Sequence, residues 1–231
     1  MPEKQSPEIE YSRFVELLYQ WRNSSLTHLS AVIGCARLLL EGDEETGSPT
    51  AAQRELLEVL LRSAIRSISW WHIAVEYTEL CYGSAHPVWE RLSLYQLAEQ
   101  VAVSLQSHPI IASVNVNLPE GLPFIKGSPQ LIDALRYLIV PEPEIYYLRR
   151  EPFSPTITAR QAENGQIEVE VNTALKFSAE EFMNPSKVFY PGGALSIAEL
   201  ILKQYESAVH IRPSSIGVKF LFALPIWEDS E

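Results

Sequence analysis

Few side chains in this sequence can do nucleophilic, acid–base or metal chemistry, and they are scattered. The 231 residues include five histidines, His28, His72, His86, His108 and His210, and two cysteines, Cys35 and Cys81. The histidines have no mutual spacing typical of metal ligands and the cysteines form no Cys-x-x-Cys pair, so no metal site is expected. A neutral imidazole offers a free lone pair, which makes His28 a candidate nucleophile. It also falls in a heptad spacing, where a polar residue sets register inside a helical bundle, and both readings stand. Gly192-Gly193 precedes an apolar helical run and offers a helix N-terminus to an anion, although Lys187 is the only cation in the preceding loop. Trp70-Trp71 is read as bundle core and its flank rather than as a stacking platform.

The elements that must position these residues begin with two long helices. Phe14, Leu18, Trp21, Ser25, His28, Val32, Cys35 and Leu39 alternate steps of four and three, the mark of a helix over about 10–41 that buries one stripe. Gly42 ends it, Ser48 is the expected N-cap of the next helix and Pro49 its first residue. Leu57, Leu61, Ala64, Ile68, Trp71, Val75 and Thr78 repeat the spacing over 51–80. Two such helices joined by a short turn form an antiparallel hairpin with half of each stripe uncovered. A second copy about a twofold axis would cover it as a four-helix bundle, with Leu18, Trp21, Ser25, Val32, Leu61, Ile68 and Trp71 at the interface.

Gly83 and Pro87 break the periodicity and mark a linker. Beyond it, 92–108 reads as an amphipathic helix, 110–119 as a strand and 128–140 as a helix opening with Ser-Pro. Two alternating runs flank Glu163-Asn164-Gly165, a hairpin signal. A helix over 193–206 and a strand pair over 208–225, turning near Ser214 to Gly217, complete the order. The fold class is α+β: an N-terminal helical hairpin (10–82), then a two-layer α/β sandwich (88–227).

Hydrophobic residues make up 46% of the chain, enough for real cores, and the formal net charge is -11. That charge disfavours nucleic acid and anionic membrane as partners, because both recruit clustered Lys and Arg. No run of 18 apolar residues or signal-peptide pattern occurs, and two cysteines suit a reducing compartment. A cytoplasmic protein is expected.

Three stretches, in order, carry a family resemblance: LSAVIGCARLLLEG (29–42), VNLPEGLPFIKGSPQLIDALRYLI (116–139) and GGALSIAELILKQYESAVHIRPSSIGVKFLFALP (192–225). Together with the element order, over roughly residues 12–226, they resemble bacterial sensor histidine kinases. The resemblance implies a dimerisation hairpin bearing a phosphoacceptor histidine, followed by an ATP-binding domain of the histidine-kinase ATPase type.

The positions on which that chemistry depends are occupied by other residues. Aligned on Thr27, Leu29 and Gly34, Asn23 stands where the family has its phosphoacceptor. An amide nitrogen is no nucleophile, since its lone pair is delocalised into the carbonyl. Tyr137 and Pro141 stand at the asparagine positions that hold Mg²⁺ and phosphate oxygens in the family. Thr173 replaces the aspartate that accepts a hydrogen bond from adenine, and Leu175 and Phe177 replace the glycines after it. Gly192 and Leu195 keep the register of the last glycine motif, with Gly193 and Ala194 as substitutes.

The resemblance therefore implies a pseudokinase: a dimeric binding or regulatory component of two-component signalling with no cofactor, ATP and Mg²⁺ entering only if the site is non-standard. The alternative is an active kinase or phosphotransferase using His28. In the family the outer face of helix 1 docks receiver domains of response regulators. Tyr19, Arg22, Asn23, Leu26, Thr27 and Ser30 are the corresponding residues here, for a receiver domain or another histidine kinase as partner. An exposed Leu26 between polar residues favours a contact over a merely solvated face.

Overall fold

The computed structural model describes residues 7–42, 47–82, 87–108, 110–140, 152–175 and 193–228. The chain divides into two compact units, residues 1–83 and 84–231.

The first unit is a hairpin of α1 (Pro7–Glu41) and α2 (Ala51–Tyr82). Gly42 stops α1 with φ of 69°, and its N–H donates to the Leu38 carbonyl at 3.0 Å, a left-handed C-terminal motif that suits glycine. The start of α2 differs from expectation. Thr50, rather than Ser48, caps the helix: its Oγ1 accepts from the Gln53 N–H at 3.3 Å, while its own N–H donates to Gln53 Oε1 at 2.9 Å. This is a reciprocal capping box, which satisfies two donors at once.

Leu18 and Ala36 on α1 and Ala64, Ile73 and Val75 on α2 are buried. The apolar stripe read from the sequence divides in two. Leu18 is buried and Ser25 half-buried, whereas Phe14, Trp21, His28, Val32, Cys35 and Leu39 stay exposed on the single chain. With Leu17 and Leu38, these exposed residues form a second stripe at spacings of three and four along α1. Leu56, Val59 and Leu60 are exposed near the turn end of α2, and Leu61, Ile68 and Trp71 are half-buried.

The second unit contains β1 (Glu90–Leu92), α3 (Leu94–Leu105), β2 (Asn115–Asn117), β3 (Ile125–Gly127) and α4 (Leu131–Ile139). It continues with β4 (Thr156–Gln161), β5 (Gln166–Thr173), α5 (Ala194–Lys203), β6 (His210–Pro213) and β7 (Val218–Pro225). Five strands form one sheet in the order β2-β4-β5-β7-β6, antiparallel except for the parallel pair β2-β4. A separate antiparallel pair, β1-β3, was not expected from the sequence. The strand expected over 110–119 is shorter, Asn115–Asn117, with an isolated bridge between Ile111 and Phe153.

Period-two burial explains the layers. Ile167, Val169, Val171 and Thr173 on β5 and Val218, Phe220, Phe222 and Leu224 on β7 are buried, and their neighbours point to the opposite, wetter face. Helices α3, α4 and α5 cover the apolar side with Leu97, Val101, Leu135, Leu138, Ile197 and Ile201, all buried. Each such side chain contributes roughly 1.5–3 kcal/mol. The hairpin between β4 and β5 turns where the Asn-Gly pair predicts: Gly165 has φ of 75° and Asn164 Oδ1 accepts from the Gln166 N–H at 3.2 Å. The fold is thus a helical pair followed by a mixed α/β sandwich.

Candidate functional site

Two places hold the candidate residues, the surface of α1 around Asn23 and the ends of β5 and α4. They lie in different units and are taken separately.

On α1, Asn23 is exposed. Its carbonyl accepts from Thr27 Oγ1 at 3.0 Å, and its Oδ1 accepts a long contact, 3.5 Å, from Arg22 Nη2. The Arg22 guanidinium lies over the Tyr19 ring, 4.7 Å from its centroid. Tyr19 in turn donates its hydroxyl to Glu79 on α2. Tyr19 and Arg22 are therefore only partly on the outer face: one bonds across the hairpin and the other is half-buried with its Nε out of solvent. Leu26 is half-buried too, which corrects the expectation of an exposed leucine. Asn23, Thr27 and Ser30 remain exposed as a polar strip, whereas His28, also exposed, lies on the apolar stripe with Trp21 and Val32. Glu79 could not have been identified from spacing, because it is sixty residues from Tyr19.

In the second unit Thr173 is wholly buried at the end of β5, and its hydroxyl donates to the Ile139 carbonyl at 3.1 Å. Ile139 ends α4, so this bond satisfies a last-turn carbonyl that has no partner within the helix. An aspartate here would face the same carbonyl oxygen with no proton to give. Ala174 and Leu175, the next two residues, are also buried.

Gly217 closes over this segment. A Cβ on Gly217 would stand 2.4 Å from the Leu175 carbonyl oxygen and 2.5 Å from that of Thr173, so backbone packs directly on backbone. The turn that carries it is held by Ser214, whose Oγ donates to Asn172 Oδ1 at 2.8 Å and accepts from the Gly217 N–H at 3.1 Å. The sequence placed a turn at 214–217 but gave no sign that it seals the end of β5.

Tyr137 is half-buried on the last turn of α4. Gly193 is the buried N-cap of α5, with Ala194, Leu195 and Ser196 buried after it, and Ser196 Oγ donates back to the Gly193 carbonyl at 2.6 Å. Pro141, Phe177 and Gly192 lie outside the described residues, as do Lys187 and His86. Among the described residues no three His, Cys, Asp or Glu side chains gather as metal ligands would, and no helix is long and apolar enough to cross a membrane.

His108, just beyond α3, is displaced from its ordinary behaviour. Burial first, and the nearby Arg136 second, push its pKa down to about 4. Tyr205 is raised by burial, which outweighs its hydrogen bonds to Ser128.

No family model matches the chain, and no curated protein matches it by sequence. Solved structures do. Full-length ShkA in complex with AMPPNP superposes with a TM-score of 0.59 at 19% identity, covering 94% of this chain and 47% of that one. Histidine kinase AdeS of Acinetobacter baumannii gives 0.52 at 11% identity, covering 90% and 97%. The catalytic domain of histidine kinase ThkA gives 0.46 at 17%, covering 60% and 97%. The chain spans about half the length of ShkA. The fold, two long helices followed by a mixed α/β sheet domain, is that of these histidine-kinase structures.

Proposed function

We propose that this chain is a catalytically inactive histidine-kinase-like protein that acts by binding, as a dimeric regulatory component of two-component signalling. The observation that carries the reading is the bond from Thr173 to Ile139. At the position where the resembling family offers adenine a carboxylate, this chain buries a hydroxyl and commits its proton to its own backbone. Asn23, exposed where the phosphoacceptor would stand, agrees with it, because an amide cannot accept a phosphoryl group as imidazole does. In this reading residues 10–82 are the dimerisation hairpin and 88–227 an ATPase-like domain without a working nucleotide site.

The exposed stripe of Phe14, Leu17, Trp21, Val32 and Leu38 supports a second copy as its cover, since apolar surface of this extent is unfavourable in water. Asn23, Thr27 and Ser30 then remain as an outer strip for a receiver domain or another kinase. Incubation of the purified chain with radiolabelled ATP and Mg²⁺ tests the reading. No protein-bound label is expected, and robust autophosphorylation defeats it.

One observation favours a second reading, a phosphotransferase using His28: this histidine is exposed rather than enclosed between the helices. Acid-labile phosphate that appears with a phosphorylated partner and disappears in His28→Ala would establish that alternative.

A further inference from the structure

The pair β1-β3 carries a second surface that neither the hairpin nor the end of β5 explains. Arg91 and Lys126 stand directly opposite one another in its antiparallel register, and both are exposed. Like charges facing across two strands repel, so this arrangement is unfavourable in isolation. Each cation rests on an aromatic ring contributed by the other side of the pair. The Arg91 guanidinium lies 4.1 Å from the Phe124 centroid, and Lys126 Nζ lies 5.6 Å from that of Trp89. Among the described residues neither cation has an acidic partner, in a chain whose net charge is -11.

The platform is braced from behind. Trp89 meets Tyr205 edge to face at 4.9 Å, and the Tyr205 hydroxyl accepts from the Ser128 N–H at 2.9 Å. The ring beneath Lys126 is therefore braced by Tyr205, which is buried just after α5. Phe124 is 43% exposed, and Val88, next to Trp89 in the chain, is 71% exposed, so apolar surface adjoins the charges.

We infer that this face docks an acidic segment of a partner protein, its carboxylates meeting Arg91 and Lys126 and an apolar side chain packing on Phe124. Charge complementarity selects the occupant. Two isolated cations on a strongly acidic chain match two or three carboxylates, whereas nucleic acid or an anionic membrane would meet net repulsion and needs a broader basic footprint. Arginine on a ring keeps its N–H edge free for bidentate bonding to a carboxylate.

The test uses the full chain and a fluorescein-labelled heptapeptide of aspartates and glutamates around a central leucine, followed by anisotropy. Saturable binding is expected, weakened about tenfold by the double reversal R91E/K126E, as two exposed charge pairs would give. It should weaken by a smaller factor in the neutral R91Q/K126Q, which guards against misfolding of the reversal, and should be unchanged in Arg160→Gln. Equal binding by both double variants, or no saturable binding by the parent, overturns the inference. Tighter binding of single-stranded DNA or of phosphatidylserine vesicles than of the peptide also overturns it.

Discussion

Thr173 and Ile139, at the ends of a strand and a helix, are joined by a 3.1 Å hydrogen bond from the buried hydroxyl to the main-chain carbonyl. The bond fastens β5 to α4. Thr173→Val keeps the shape and strands the carbonyl, and should cost about 1–3 kcal/mol. Thr173→Asp buries a carboxylate against a carbonyl oxygen, and should cost more, roughly 3 kcal/mol or above. Urea unfolding of the three proteins checks the order. A Thr173→Asp variant as stable as the parent would contradict this order.

Gly217 should be as sensitive as the core. Its missing Cβ would stand 2.4–2.5 Å from two carbonyl oxygens, so Gly217→Ala must move the β6-β7 turn or the end of β5. A loss of about 1–3 kcal/mol, read as a lower midpoint in thermal or urea unfolding, is expected from such overpacking. An unchanged midpoint would mean that the turn shifts freely.

His108 gives the stability of the second unit a defined acid dependence. Its folded pKa is about 4, against an ordinary 6.5, through burial and then Arg136. Between these values the unfolded chain binds a proton that the folded chain refuses, so stability falls as pH drops from about 6.5 to about 4 and this contribution is flat outside that window. In His108→Gln the decline from pH 7 to pH 5 should be shallower than in the parent. Parallel curves for the two proteins would remove His108 as the cause.

The exposed stripe of α1 predicts the assembly. Trp21→Glu combined with Leu38→Glu puts two charges where apolar contact is expected, and should weaken a dimer by about 3 kcal/mol or more. Sedimentation velocity should show the parent as a dimer and the variant as a folded monomer. A monomeric parent would exclude the bundle.

Local chemistry made much of this fold legible. Asn164-Gly165 announced the β4-β5 hairpin, Gly42 the end of α1, and strict alternation the buried faces of β5 and β7. The N-cap was misplaced by two residues because Ser48-Pro49 and Thr50-x-x-Gln53 are both good helix starts, and only the reciprocal bonds of Thr50 and Gln53 decide between them. Strands β1 and β3 went unseen because three residues are too few to show a period. On α1, apolar residues fill two adjacent stripes, so spacing alone could not separate Leu18, which is buried, from Trp21, which is 54% exposed. The surroundings of Thr173 depend on contacts between distant segments, the Ile139 carbonyl and the Gly217 backbone, which no sequence window contains.

The most direct test of the pseudokinase reading is phosphoryl transfer itself, measured with the full chain, γ-labelled ATP and Mg²⁺, with an active histidine kinase alongside as positive control. No acid-labile label on the chain is expected at times when the control is fully labelled. Label that accumulates on the chain and survives removal of any contaminating kinase contradicts the reading, and its loss in His28→Ala would identify the residue that carries it.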